Sequence, residues 1–453
     1  MARATPAQPV AADLLGGFTP EVFARHLDSQ AASPAWWLER KRAAYARFEA
    51  LPMPARTDES WRFSNIAGIR LGGVSPAAEG AEPPPGNQAY AALAVAPAAS
   101  LLFVNGRAAG GIPLPTDLAA KGVVATTLSE AISRHADLLR EHFMAQPQKL
   151  GSAKFAALHE AFILDGAFIH VPRGVEIDKP IVVVHAASGD GAAVFPHTLV
   201  IAEENARVTV VDYFISSDAS RQFACGANDL YAGHGAKITY AAAQRWSREA
   251  LSLQFNSTVV RRDARVQSLN LHLGGRQARH ESLSQLQAPG GFSEMLAITI
   301  ADGARECDQR TLQIHQAPST KSDLLYKNAL LDQSRTIFSG LIVVDPDAQK
   351  TDAYQSNRNL MLSDDAESNS LPGLEIQAND VRCTHGATSS RIDTEQEFYL
   401  KSRGIPAKAA NELLIFGFFE EVLNRLESEE LHAAFRDLIR SHLGKMTASA
   451  SLP

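Results

Sequence analysis

What most limits the fold of this chain is the region from about Phe168 to Leu362, where short apolar runs alternate with polar turns and none reaches helical length. VTVVDYFI (208–215), KITYAAA (237–243), VQSLNLHL (266–273) and TIFSGLIVV (336–344) are rich in β-branched and aromatic residues, with Gly, Asp and Asn between such runs. That composition predicts strands and turns throughout. A turn-plus-basic unit recurs: Asn205-Ala206-Arg207, Gly235-Ala236-Lys237, Asp263-Ala264-Arg265, Gly303-Ala304-Arg305, Gln333-Ser334-Arg335 and Ala348-Gln349-Lys350. The basic residues are 30, 28, 40, 30 and 15 positions apart. A coil repeat of about 15 or 30 residues follows, in which each coil buries a face on the next, and only the 40-residue gap departs from it. One sandwich of this size would need a long connection, so the expected class is mainly β, a parallel β-helix core with α-helical N-terminal and C-terminal regions.

The flanks read differently. Thr19-Pro20-Glu21 combines an N-cap, a Pro at the first helical position and an acid in the first turn, and two helices are expected before residue 50. TDESWRFSNI (57–66) reads only as a packed loop. From Val74 to Ser100 the composition turns to Ala, Pro and Gly, including Pro83-Pro84-Pro85, as in a surface loop or hinge. LLFVNGRAAGG (101–111) predicts a strand and an Asn105-Gly106 turn, and TLSEAISRHADLLREHF (127–143) an amphipathic helix entered at Ser129. After Asp393 the alternation stops. Ile405-Pro406 opens a helix carrying Leu413, Phe416, Phe419, Leu423 and Leu426, and a second begins at Ser428. Core packing accounts for both, but Phe416, Phe418 and Phe419 exceed what one helix face buries, so a partner-docking surface of Phe416, Phe419, Leu423 and Leu426 is the sharper expectation. The expected units are a helical region with short strands over 1–150, the β-helix over 151–400 and a docking region over 401–453.

Composition narrows the function. Lys and Arg number 43 against 50 Asp and Glu, a net charge of −7, which argues against non-specific nucleic-acid binding. No apolar run is long enough for a membrane span and MARATPAQPV lacks a secretory apolar core, so a cytoplasmic protein off the membrane is expected. Cys225, Cys307 and Cys383 are scattered and odd in number, unlike a disulfide framework. A GxxxxGK[ST] loop, an HExxH helix and a GxSxG elbow are all missing, which leaves the chain with no ATP site of its own and no standard enzyme motif. One enzymatic rival stands: a cytosolic β-helix acting on carbohydrate through Asp364 and Asp365, with Gly233-His234-Gly235 beside them in the reckoning. His197, His272, His315, Cys225 and Cys307 read as core residues. In VRCTHGATSSRID (381–393), Cys383 stands two residues before His385, a thiolate and an imidazole donor able to serve a shared metal or sulfur centre but too few to hold one.

VRCTHGATSSRIDTEQEFYLKSRGI (381–405) closely resembles the C-terminal signature of the SufB/SufD family of the SUF iron–sulfur assembly system. FAALHEAFILDGAFIHVPRGVEIDKPIVVVH (155–185), LLFVNGR (101–107) and ESWRF (59–63) are similar to its SufD branch. The SufB branch carries cysteines where this chain has NRNLMLSDDAESNSLPGLE (357–375), which has none. The resemblance implies a right-handed parallel β-helix and a non-catalytic scaffold subunit paired with SufB. It places His385 at that interface as a ligand to a transient iron–sulfur cluster, with Cys383 beside it and thiolates from the partner. It also implies that the helices from about Pro406 to Leu443 dock the ATPase SufC. A homodimer of the isolated chain and a flavin in the complex stay open.

Overall fold

The computed structural model describes residues 16–77, 95–217 and 219–449, so Pro83-Pro84-Pro85 lies outside the described residues. From Ala167 to Ser390 the long strands pass alternately into two sheets, each pairing in parallel with the preceding strand of its own sheet. Sheet I runs from Ala167–Val171 to Glu367–Ile376, and sheet II from Ile181–Ala187 to Arg382–Ser390. The chain is a parallel β-solenoid flanked by helices.

The recurring turn units mark its corners. Asn205, Gly235, Asp263 and Gly303 turn the chain at φ 57°, 66°, 55° and 61°. This left-handed region is open to Gly and tolerated by Asn and Asp, which is why those residues recur there. Arg207, Lys237 and Arg265 then stand side by side on sheet II, and the row continues through Phe292, Lys321, Asp352 and Arg382. Arg335 instead pairs with Glu306 on sheet I. The 40-residue gap is therefore a step from one sheet to the other, half a coil out of phase, and the coils themselves are regular.

Most coil strands are buried on both faces, as parallel strands covered by helices are. On the outside of sheet I, the helices Pro20–Asp28, Ala35–Ala50 and Ala153–Phe162 bring Phe18, Trp37, Phe48 and Phe162 into one core with Phe195, Phe223 and Phe255. On the outside of sheet II, the helices Ala407–Leu423 and Glu429–Ser449 pack Phe419, Leu423, Leu431 and Phe435 against Leu269, Leu296, Ile298 and Leu325. The segment 57–66, opaque to periodicity, lies on sheet I as a cover for buried charge. Arg279 stacks 3.8 Å from the Trp61 ring and pairs with Glu281 at 2.7 Å and with Asp308, which also takes Arg310 at 2.6 Å. Burial opposes ionisation of Asp308, but Arg279 and Arg310 hold it below the ordinary carboxylate range.

The helix expected over 127–143 is two, Leu128–Arg134 and Ala136–His142. Thr127, not Ser129, is the cap, accepting from Glu130 N at 3.2 Å, and His135 leaves helical geometry at φ −130°. The first coil is closed at its outer edges: Ala99–Val104 pairs with Ile181–Ala187 on sheet II, and Val124–Thr127 with Ala167–Val171 on sheet I. No described strand covers the last coil.

Candidate functional site

The last coil consists of Glu367–Ile376 and Arg382–Ser390, each paired on one side only, with Arg335–Val344 and Asp352–Met361. Neither strand contains a buried residue, whereas every residue of Glu306–His315, two coils inward, is buried. Two long neighbouring edges with unpaired N–H and C=O groups form a template for another chain. Residues two apart share a face of a strand, so Cys383 and His385 point to the same side. Cys383 is half-buried against Val344, Ala353 and Ala378, which makes that side the interior one. His385, opposite Gln355, is exposed. Burial, with Asp352 adding to it, raises the Cys383 thiol above its ordinary value, so at neutral pH it carries its proton until a metal displaces it. Among the described residues the pair belongs to no group of three metal-ligating side chains. It is half a site.

A hydrogen-bonded polar file runs through the interior to this coil. Gln309 Nε2 donates to Thr299 Oγ1 at 2.8 Å and to Asn328 Oδ1 at 3.3 Å. Asn328 Nδ2 donates to Asn359 Oδ1 at 2.8 Å, and Asn359 Nδ2 reaches Asn357 Oδ1 at 3.0 Å and Ser389 Oγ at 3.4 Å. Buried amides satisfied in this way fix the register of successive coils. Thr299 also meets His272 Nδ1 at 3.2 Å, and His272, His280 and Cys307 lie together. Read along the sequence, His272 and Cys307 are separate core residues and His280 belongs to HESLS, a failed zinc-protease motif. Register between coils brings them together, and no linear spacing announces it. His197 and His315 are core residues as expected, bonded to His159 at 3.1 Å and to Thr320 and Ser322 at 2.8 Å, and Cys225 is buried with its thiol on Phe155 O.

The C-terminal helices spend their aromatic face inside the chain. Phe419 and Leu423 are fully buried, Leu426 is buried and Phe416 is packed beside them, so this set forms a joint with sheet II. Lys327 donates to Phe418 O at 2.6 Å and pairs with Glu421, and Arg425 reaches Glu294 at 3.2 Å. What remains outside is Leu413 on Ala407–Leu423, with Phe398 and Tyr399 on the helix Thr394–Ser402. Between these helices and the solenoid lies a cavity of about 640 Å³ lined by Asp364, Arg391, Glu397, Lys401 and Asn411. Asp364 is ion-paired to Arg391 at 2.5 Å and, like Asp365, sits on an exposed turn, an arrangement that does not set two carboxylates across a sugar. No described helix is long and apolar enough to cross a membrane.

Residues 184–418 match the family described as SUF system FeS cluster assembly, SufBD core domain, and residues 87–183 match the SufBD protein N-terminal region. The chain is 28% identical over 409 residues to the iron–sulfur cluster assembly protein SufD of Bacillus subtilis, covering 87% of this chain and 91% of the relative. It is 29% identical over 401 residues to SufD of Escherichia coli, covering 84% and 86%. A SufBD family protein of Synechocystis is 27% identical over 421 residues.

Proposed function

The chain belongs to the SufBD family of SUF-system iron–sulfur cluster assembly proteins, and on that premise we propose that it is a SufD-type scaffold subunit whose open last coil docks against SufB. The observation that carries the reading is the pair of unpaired edge strands, Glu367–Ile376 and Arg382–Ser390. A solenoid end of this kind is completed by the end of another, and the residues it presents are then shared. His385 would offer an imidazole to a nascent cluster and Cys383 a thiolate once its proton leaves. Two donors do not hold a cluster, so the partner supplies the remaining thiolates. With the cluster as cargo, the chain positions ligands and has no catalytic residue of its own.

The nucleotide chemistry would lie in SufC. Its dock on this chain is the outer side of the C-terminal helices, with Leu413, Phe398 and Tyr399 exposed, while Phe419, Leu423 and Leu426 transmit the load to sheet II. The complex would be cytoplasmic, and in isolation a second copy of this chain would cover the open edge. The test is His385→Ala in the co-expressed complex: iron and sulfide content should fall with the complex intact. Unchanged content in an intact complex would remove the role given to His385.

A further inference from the structure

We propose that His272, His280 and Cys307 form a second metal site, inside the solenoid, that takes a borderline-soft divalent ion of the zinc(II) type. All three residues are 5% exposed. One donor atom from each lies within 4.8 Å of the others. They come from three strands of successive coils, Arg265–His272 on sheet II and the paired Gln277–Leu286 and Glu306–His315 on sheet I, so the fold holds them across its interior. Two imidazoles and a thiolate are a zinc donor set with a fourth position left over.

Thr299 Oγ1 accepts from Gln309 Nε2 at 2.8 Å and meets His272 Nδ1 at 3.2 Å. With Nδ1 engaged there, the nitrogen of His272 left to face a metal is Nε2. Neither His272 Nε2 nor His280 Nε2 has a hydrogen-bond partner among the described residues, although the rings stack with centroids 3.7 Å apart. Buried nitrogens left so are costly, and a core that needed only to fill space would use apolar side chains here. Burial keeps both rings neutral, as ligands must be, and raises the Cys307 thiol to about 12, with Asp308 adding to the shift. Loading expels that proton to solvent as the sulfur–metal bond forms. Tetrahedral zinc sets its donors roughly 3.5 Å apart, so loading draws the three together and turns one ring out of the stack. Cys307 lies two coils inward from the last one and both histidines lie further in, so this donor set is separate from His385 and comes from one chain.

The test titrates the chelator-treated full-length chain with cobalt(II) as a spectroscopic probe. The expected result is one equivalent bound, with tetrahedral ligand-field bands and a thiolate-to-cobalt charge-transfer band. Cys307→Ser should abolish the charge-transfer band, His280→Asn should weaken binding at least tenfold, and Cys383→Ser should leave both unchanged. No such band, or a band lost in Cys383→Ser and kept in Cys307→Ser, overturns the proposal. If a variant fails to fold, zinc-edge absorption on the unmutated chain decides: one sulfur and two imidazoles support the site, and a shell without sulfur overturns it.

Discussion

Taking the chelated chain from about pH 7.5 to about pH 5.5 should lower its unfolding free energy by about 5 kcal/mol, and the interior of the solenoid is the reason. Four imidazoles are kept neutral by burial: His280 and His315 are pushed down to about 4, and His159 and His272 well below their ordinary value. In the unfolded chain each titrates near 6.5, so in this window each takes up a proton only on unfolding. The unfolded state therefore binds more protons, stability falls as pH falls, and each group contributes about 1.4 kcal/mol. Two buried pairs cancel to first order. His185, lowered to about 3, faces Asp212, raised to about 7, and His26, lowered to about 2, faces Lys41, lowered to about 7. In each pair one partner adds a proton to the unfolded state and the other to the folded state. Urea titrations at both pH values read the free energy, and a pH-jump with indicator dye reads the protons. A change under about 2 kcal/mol, or uptake of fewer than about two protons on unfolding at pH 5.5, would show that these rings are solvated or protonated in the folded chain and refute the reasoning.

Arg279→Leu leaves Glu281 as a buried carboxylate without its cation, and Asp308 with Arg310 alone, and should cost about 3–5 kcal/mol in urea unfolding; a loss under about 1 kcal/mol would mean that the loop 57–66 does not depend on this cluster. Phe419→Ala empties the centre of the joint between the C-terminal helices and sheet II and should cost about 3–5 kcal/mol, with faster proteolysis between Asp393 and Pro406 as its local sign; unchanged protease resistance would contradict the joint.

The solenoid was legible in the sequence because its corners need left-handed residues, and Asn205, Gly235 and Asp263 announce them at a regular distance. The two-sheet phase was hidden, since Arg265 and Arg305 look alike in sequence, while the first opens a strand of sheet II and the second stands just before a strand of sheet I. The short helices over 127–143 look like one in the sequence because their apolar spacing continues through His135, where only the backbone breaks. Cys383 and His385 were found as a local pair, and the family signature covers them. For Phe419, Leu423 and Leu426 the sequence leaves core packing and partner docking both open, because an apolar helix face carries no label for what covers it; sheet II covers this one. His280 and Cys307 could not be joined from spacing, because coil register sets their neighbours.

Amide hydrogen exchange reads out whether the last coil is an interface. With the isolated chain dilute enough to be monomeric, the edge amides of 367–376 and 382–390 should exchange fast, and complex formation with SufB should slow them at least tenfold, with the segment around His385 among the most protected. Protection that falls elsewhere while 382–390 exchanges as before would mean that the last coil is not where SufB docks.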